Sequence, residues 1–133
     1  MILFFLLGLV IGSFLNVLVR RGYRGQTLGG RSKCESCHHE LRWRELIPIL
    51  SFLIQKRRCL RCGAVFSYQY PLVELGNGLL FTLAFYFFEP SVYNYESLFI
   101  LASILLGLSA AMTVLVSDLL YTTIPNGSVL VIL

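Results

Sequence analysis

Long stretches in which nearly every position is apolar or small alternate along this chain with one stretch in which the charge is concentrated. From Ile2 to Val19 the sequence ILFFLLGLVIGSFLNVLV carries no charged residue. At ~1.5 Å per residue such a run approaches the thickness of a bilayer's hydrocarbon core, so it predicts a first transmembrane helix over residues 1–19. A second, largely apolar stretch, with Glu74 its one charged residue, predicts a helix over 71–88 with Pro71 at its start, where a missing N–H costs little. A third is expected over 97–117. Residues 89–96, with Pro90, Tyr93 and Tyr95, read as a short turn carrying interfacial aromatics. After Thr123-Ile124-Pro125-Asn126-Gly127 the chain turns apolar again over 129–133. Residues 118–133 are therefore expected to open a fourth helix that is cut short, making the chain the front part of a longer protein. The stretch 20–70 matches none of these patterns and is expected to form a loop domain between the first two spans. No internal repeat and no low-complexity segment is evident.

Composition supports the membrane reading, with 56% hydrophobic residues and a mean hydropathy of +0.75. Charge then orients it. All eleven Lys and Arg lie between Arg20 and Arg61, where only Glu35, Glu40 and Glu45 oppose them, giving that stretch about +8. A secretory signal would carry its cations ahead of the apolar run; here Arg20 and Arg21 follow it, so the start is an anchor. The bias of cations toward the inner side predicts an external N-terminus, a cytoplasmic 20–70 loop, and a third span that returns Asp118 to the cytoplasmic surface.

Inside the basic stretch sit two Cys-x-x-Cys pairs, Cys34/Cys37 and Cys59/Cys62, separated by 21 residues. Four thiolates can close a tetrahedral structural zinc site, and in a reducing compartment paired thiols bind metal more often than they oxidise. A redox dithiol would be expected to open a helix in a strand-containing unit, for which no strands are evident. Lys56, Arg57, Arg58 and Arg61 could suggest a ribbon that grips nucleic acid, but cations beside a membrane span are expected for topology and for anionic lipid headgroups, so no nucleic acid partner is inferred. His38 and His39 are expected to be solvated rather than ligands.

Three polar residues fall near the same end of different spans: Asn16, Glu74 and Asp118. Polar groups at that depth usually face protein rather than lipid. Gly8, Gly12 and Asn16 recur every fourth position, a small-residue face suited to close helix packing. Glu74 and Asn77 share a face of the second helix. Glu74 also gains from the helix dipole at a helix entrance, so structural and functional roles both stand, and Asn16 and Glu74 are candidates for cofactor contact. Asp118, the one aspartate in the chain, sits at the unfavourable end of a helix dipole with no basic neighbour in sequence, and is the candidate catalytic residue.

In order along the chain, Gly12-Ser13-Phe14-Leu15-Asn16-Val17, the two Cys-x-x-Cys pairs, Trp43 followed by Ile47-Pro48-Ile49-Leu50-Ser51, Tyr70-Pro71-Leu72-Val73-Glu74, Asp118-Leu119 and Ile124-Pro125-Asn126 resemble the front half of type IV prepilin peptidases. Arg21-Gly22 departs from the leucine and proline that many members carry there. The resemblance implies an all-α integral protein of the bacterial inner membrane with a small cytoplasmic zinc-ribbon-like loop domain. Its implied activity is that of an aspartic endopeptidase of pilus, type II secretion and competence systems. Such an enzyme removes the leader of prepilin or pseudopilin substrates, and many members methylate the new N-terminus with S-adenosylmethionine. It further implies that Asp118 is the first of two catalytic aspartates, the second lying in a Gly-x-Gly-Asp motif that this chain does not contain. On that basis the 133-residue chain alone is expected to be inactive. The alternative is a membrane-anchored zinc-ribbon binding module without peptidase activity.

Overall fold

The computed structural model describes residues 1–88 and 94–121. Among these residues the fold is helical, with isolated β-bridges but no strands. It runs α1 (Ile2–Tyr23), a 3₁₀ turn (Trp43–Leu46), the short α2 (Leu50–Ile54), α3 (Gln69–Phe88) and α4 (Tyr95–Tyr121). Three of them, α1, α3 and α4, are long and apolar enough to cross a membrane. Each reaches past the apolar run that marks it in the sequence. Backbone hydrogen bonding does not stop where an uncharged run does, so Arg20–Tyr23, Gln69–Tyr70 and Asp118–Tyr121 continue the helices past their first polar residues. Most of the turn expected over 89–96, and the segment from Thr123 through Ile124-Pro125-Asn126 to Leu133, lie outside the described residues.

The polarity of the bundle is inverted relative to a water-soluble core. Leu3, Leu6, Val10 and Phe14 of α1 point outward, whereas Gly8, Gly12 and Asn16 are buried. They meet Val73, Glu74, Asn77 and Gly78 of α3. In a bilayer apolar surface gains little by being buried, so helices associate through close backbone approach and interhelical hydrogen bonds. Both occur here. A Cβ built on Gly8 would lie 2.7 Å from the Asn77 carbonyl oxygen, and one on Gly12 would lie 2.8 Å from the Glu74 Cα. That proximity lets Asn77 Nδ2 donate to the Gly8 carbonyl at 3.0 Å and Asn16 Nδ2 donate to the Tyr70 carbonyl at 3.2 Å. Along α4, Ser109, Thr113 and Ser117 face inward, each hydroxyl donating to the carbonyl four residues back, so they present compact surface without unpaired donors.

Two apolar clusters sit at opposite ends of the bundle. Phe81, Leu101 and Leu105 form the one distant from the loop; Leu15, Val19, Val73 and Val116 form the one beneath it. The end of α1, the start of α3 and the end of α4 therefore come together. Tyr23 and Tyr121 stack with centroids 3.6 Å apart, and the Arg20 guanidinium lies 5.1 Å above the Tyr70 ring.

Gly12→Leu should force α1 and α3 apart and lower the midpoint of thermal unfolding in detergent. Overpacking costs typically ~1–3 kcal/mol, and a clash with backbone rather than a flexible side chain belongs at or above the upper end. Gly22→Ala, where an added Cβ meets nothing within 4 Å, should not lower the midpoint. Equal behaviour of the two variants would contradict this account of the interface.

Candidate functional site

The segment between α1 and α3 is organised by its cysteines. Cys34 N–H donates to the His39 carbonyl and His38 N–H to the Cys34 carbonyl; Cys59 N–H donates to the Ala64 carbonyl and Gly63 N–H to the Cys59 carbonyl, all at 2.9 Å. The correspondence extends outward. Lys33 bridges Glu40 as Arg58 bridges Val65, and Leu41 N–H reaches the Ser32 carbonyl as Phe66 N–H reaches that of Arg57. The loop is thus a duplicated turn, an internal repeat that the sequence does not betray: outside the cysteines the paired positions differ, Glu35 against Leu60 and Glu40 against Val65. The residue after the second cysteine of each pair takes a left-handed conformation, with φ of 55° at His38 and 72° at Gly63. Glycine adopts it freely and histidine at modest cost.

The repeat places the four sulfurs within 4.8 Å of one another, with Cys34 to Cys62 at 3.8 Å and Cys37 to Cys59 at 4.0 Å. A tetrahedral ion with bonds of ~2.3 Å to sulfur has sulfur–sulfur edges of about 3.8 Å, so the cluster has the size and ligand set for a metal ion. Its electrostatics point the same way. The Cys59 thiol is lowered to about 7, first by the backbone N–H of Cys62 and then by that of Arg61. At Cys62 the Ala64 N–H favours the thiolate, but burial and the surrounding sulfurs outweigh it and raise the thiol to about 12. One negative charge is easily held and the next is resisted; a dication removes that resistance. His38 is exposed, and His39 Nδ1 lies 3.4 Å from Arg61, so neither is one of the clustered ligands.

Beneath the metal loop lies a cavity of about 840 Å³. Asn16, Tyr70 and Glu74 from the spans line it, together with Gln55 at the end of α2 and Cys34 and Glu35 from the loop. The structure therefore brings Asn16 and Glu74 into one site. Asn16 Oδ1 accepts from Gln69 Nε2 at 3.2 Å, and Glu74 Oε2 accepts from the Ile49 N–H at 2.7 Å. Ile49 sits at φ 60°, ψ −50°, a tight turn that a β-branched residue adopts only under strain, and the Leu50 N–H closes that turn onto the Pro48 carbonyl. The buried carboxylate thus pins the Ile47-Pro48-Ile49 turn against α3. Sequence reasoning missed Gln55. It is buried, its Nε2 donates to the Glu45 carbonyl at 3.3 Å, and its Oε1 has no partner among the described residues. The signal was available, since Gln55 is the polar residue that ends the apolar run Phe52–Ile54. A buried acceptor without a donor costs about 1–3 kcal/mol, which a ligand donor in the cavity would relieve.

Asp118 is not brought into this cavity. It lies in the last turn of α4, exposed, with no hydrogen bond or ion pair to the described residues. It does share the loop end of the bundle, because Tyr121 one turn later stacks on Tyr23 at the end of α1.

Comparison with known proteins agrees with this organisation. Residues 6–88, which hold most of α1, the metal loop and α3, match the bacterial peptidase A24 N-terminal domain. A prepilin leader peptidase/N-methyltransferase of Myxococcus xanthus is 51% identical over 78 residues, covering 58% of this chain and 23% of that protein. Proteins of the same description from Klebsiella pneumoniae and Bacillus subtilis are 42% and 34% identical over 123 residues, covering 86% and 92% of this chain and 54% and 47% of their own lengths. The chain thus spans about half or less of the length of these relatives. No solved structure matches it. With more than half of its residues matched, including the metal loop and the packed helix pair around it, the chain belongs to the bacterial peptidase A24 N-terminal domain family.

Proposed function

We propose that this chain works in an inner-membrane aspartic endopeptidase that removes the leader of prepilin-like proteins at the cytoplasmic face and methylates the new N-terminus. The observation that carries this reading is the shared end of the bundle: the metal loop, the polar cavity and Asp118 all gather where α1 ends and α3 begins. The one-sided Lys and Arg distribution supports a cytoplasmic location for that end, with the N-terminus outside and the spans and loop divided as the sequence suggests. The names of the relatives support the prepilin substrates and both chemistries.

For proteolysis, two adjacent carboxyl groups share one proton: one polarises the peptide carbonyl and the other accepts a proton from the attacking water. Asp118 supplies one of them, exposed at the membrane surface where a leader peptide arrives. The second, by resemblance, comes from a Gly-x-Gly-Asp motif not found in these 133 residues. For methylation, the cavity fits S-adenosylmethionine. Its volume of about 840 Å³ suits a nucleoside-sized molecule, and Gln55 Oε1 offers an unused acceptor. When bound, that cofactor supplies an electrophilic methyl group. Gln55 would accept from a ligand N–H, while the Glu74 carboxylate and Asn16 line the polar floor beside a cationic ligand. The metal is zinc with a structural role: four sulfurs saturate it and leave no open position for substrate.

Metal analysis of protein purified without chelator should find one zinc per chain, lost in Cys59→Ser; a metal-free wild type that keeps a protease-resistant loop would remove the assignment. The 133-residue chain should leave a prepilin uncut, and fusion to the C-terminal part of the Klebsiella pneumoniae relative should restore cleavage. In that fusion Asp118→Asn should lower the rate by at least ~10²- to 10⁴-fold with zinc retained. Cleavage by the isolated chain would show that a second aspartate is not needed, and cleavage by the Asn variant of the fusion would show that Asp118 is the wrong carboxylate. Gln55→Ala should weaken S-adenosylmethionine binding by equilibrium dialysis about 2- to 10-fold without loss of zinc, the worth of one hydrogen bond.

A further inference from the structure

The 3₁₀ turn and α2 lie outside the three spans, yet they are built inside out. Trp43, Leu53 and Ile54 are 69%, 66% and 71% exposed, and Leu50 is exposed with them, while the polar Gln55 is turned inward at 8%. In water that orientation wastes the apolar side chains. It is the orientation of a surface that meets acyl chains.

The position of α2 agrees. The Ile49 N–H is held by Glu74, on the second turn of α3, and the Phe52 ring lies 5.7 Å from that of Tyr68, the residue preceding α3. The segment is thereby fixed at the level where α3 enters the bilayer.

Charge next to the apolar prongs completes the surface. Glu35 pairs with Arg20 and Arg24, and Glu40 with Arg31 and Lys33, but Lys56, Arg57 and Arg58 have no carboxylate partner among the described residues. These three line a hollow of about 470 Å³ with Phe52, Leu53 and Tyr68, and the Arg57 guanidinium rests 4.2 Å above the Tyr68 ring. Lys56 and Arg57 hold left-handed conformations in succession, φ 49° and 63°, an arrangement residues with side chains seldom adopt.

We propose that this face docks on the bilayer: Trp43, Leu50, Leu53 and Ile54 enter the acyl boundary, and the Lys56-Arg57-Arg58 hollow takes the phosphate of an anionic phospholipid. A free phosphate would share the cationic contacts but leave the prongs without a role. Leu53 belongs to both features, which is why a lipid, with head and tail joined, fits the face. The inference is independent of the peptidase reading.

Trp43 is the one tryptophan of the chain, so its fluorescence reports the surroundings of the 3₁₀ turn, where the Arg44 guanidinium lies 5.1 Å over its ring. In proteoliposomes of phosphatidylcholine and phosphatidylglycerol, acyl-brominated lipid should quench Trp43 and aqueous acrylamide should not. Leu53→Asp combined with Ile54→Asp should reverse that pattern, with metal content reporting an intact loop. Quenching of the wild type by acrylamide and not by brominated lipid would overturn the proposal, and so would protection from both, which would place the ring against protein. The hollow is read separately by mass spectrometry of lipid retained in detergent. Phosphatidylglycerol should be kept in preference to phosphatidylcholine, with the preference falling by up to roughly fivefold for each cation removed in Lys56→Gln, Arg57→Gln and Arg58→Gln. Equal retention of the two lipids, or displacement of phosphatidylglycerol by inorganic phosphate, would overturn it.

Discussion

The contact between α1 and α3 at Gly8 and Gly12 is the constraint on which the rest of the molecule depends. With backbones this close, the Asn77 amide reaches the Gly8 carbonyl and the Asn16 amide reaches that of Tyr70. Those bonds set the register of the two helices. The register brings Glu74 beneath the Ile49 turn and so positions α2, whose end carries Gln55 into the cavity. A pair of missing side chains near the middle of a helix is therefore felt at a cavity two turns away, through hydrogen bonds that each span one step.

The same polarity rule operates from end to end. The small and polar groups of α1, α3 and α4 are turned inward beside two apolar clusters while large apolar side chains cover the outside, and the short α2 follows suit with Gln55 in and Leu53 and Ile54 out. One solvent explains all four helices. The metal loop is the exception, since it turns charged side chains outward and holds its shape through turn hydrogen bonds, ion pairs and the Arg21 fork, whose Nη1 contacts the Leu28 and Gly29 carbonyls at 2.6 Å.

Features governed by local composition were legible in the sequence. Long, largely apolar stretches announced α1, α3 and α4, and the cysteine spacing announced a cluster that the structure closes to within 4.8 Å. The small-residue face of Gly8, Gly12 and Asn16 was legible too, because its period matches the helix. What depends on distant partners was not. The duplicated turn is a likeness of backbone, invisible when Glu35 corresponds to Leu60. The strain at Ile49 and the buried acceptor of Gln55 arise only once Glu74 and Glu45 are in place. The stacking of Tyr121, at the end of α4, on Tyr23 joins partners nearly the whole chain apart.

The duplicated turn has one half a short segment beyond the end of α1 and the other on the approach to α3. An ion held between the halves would convert a long tether into a short one, and shortening a tether raises the local concentration of each helix in the neighbourhood of the other. Helix pairs that rely on two glycines and a few amide bonds are weak partners in lipid, where double-mutant measurements put single interhelical hydrogen bonds at well under ~2 kcal/mol. With an ion in place the loop would act as a hinge pin for a membrane hairpin. During synthesis, both halves of the pin have emerged before α4 is made, so the first two spans can be fastened together before the third arrives to be sorted against them.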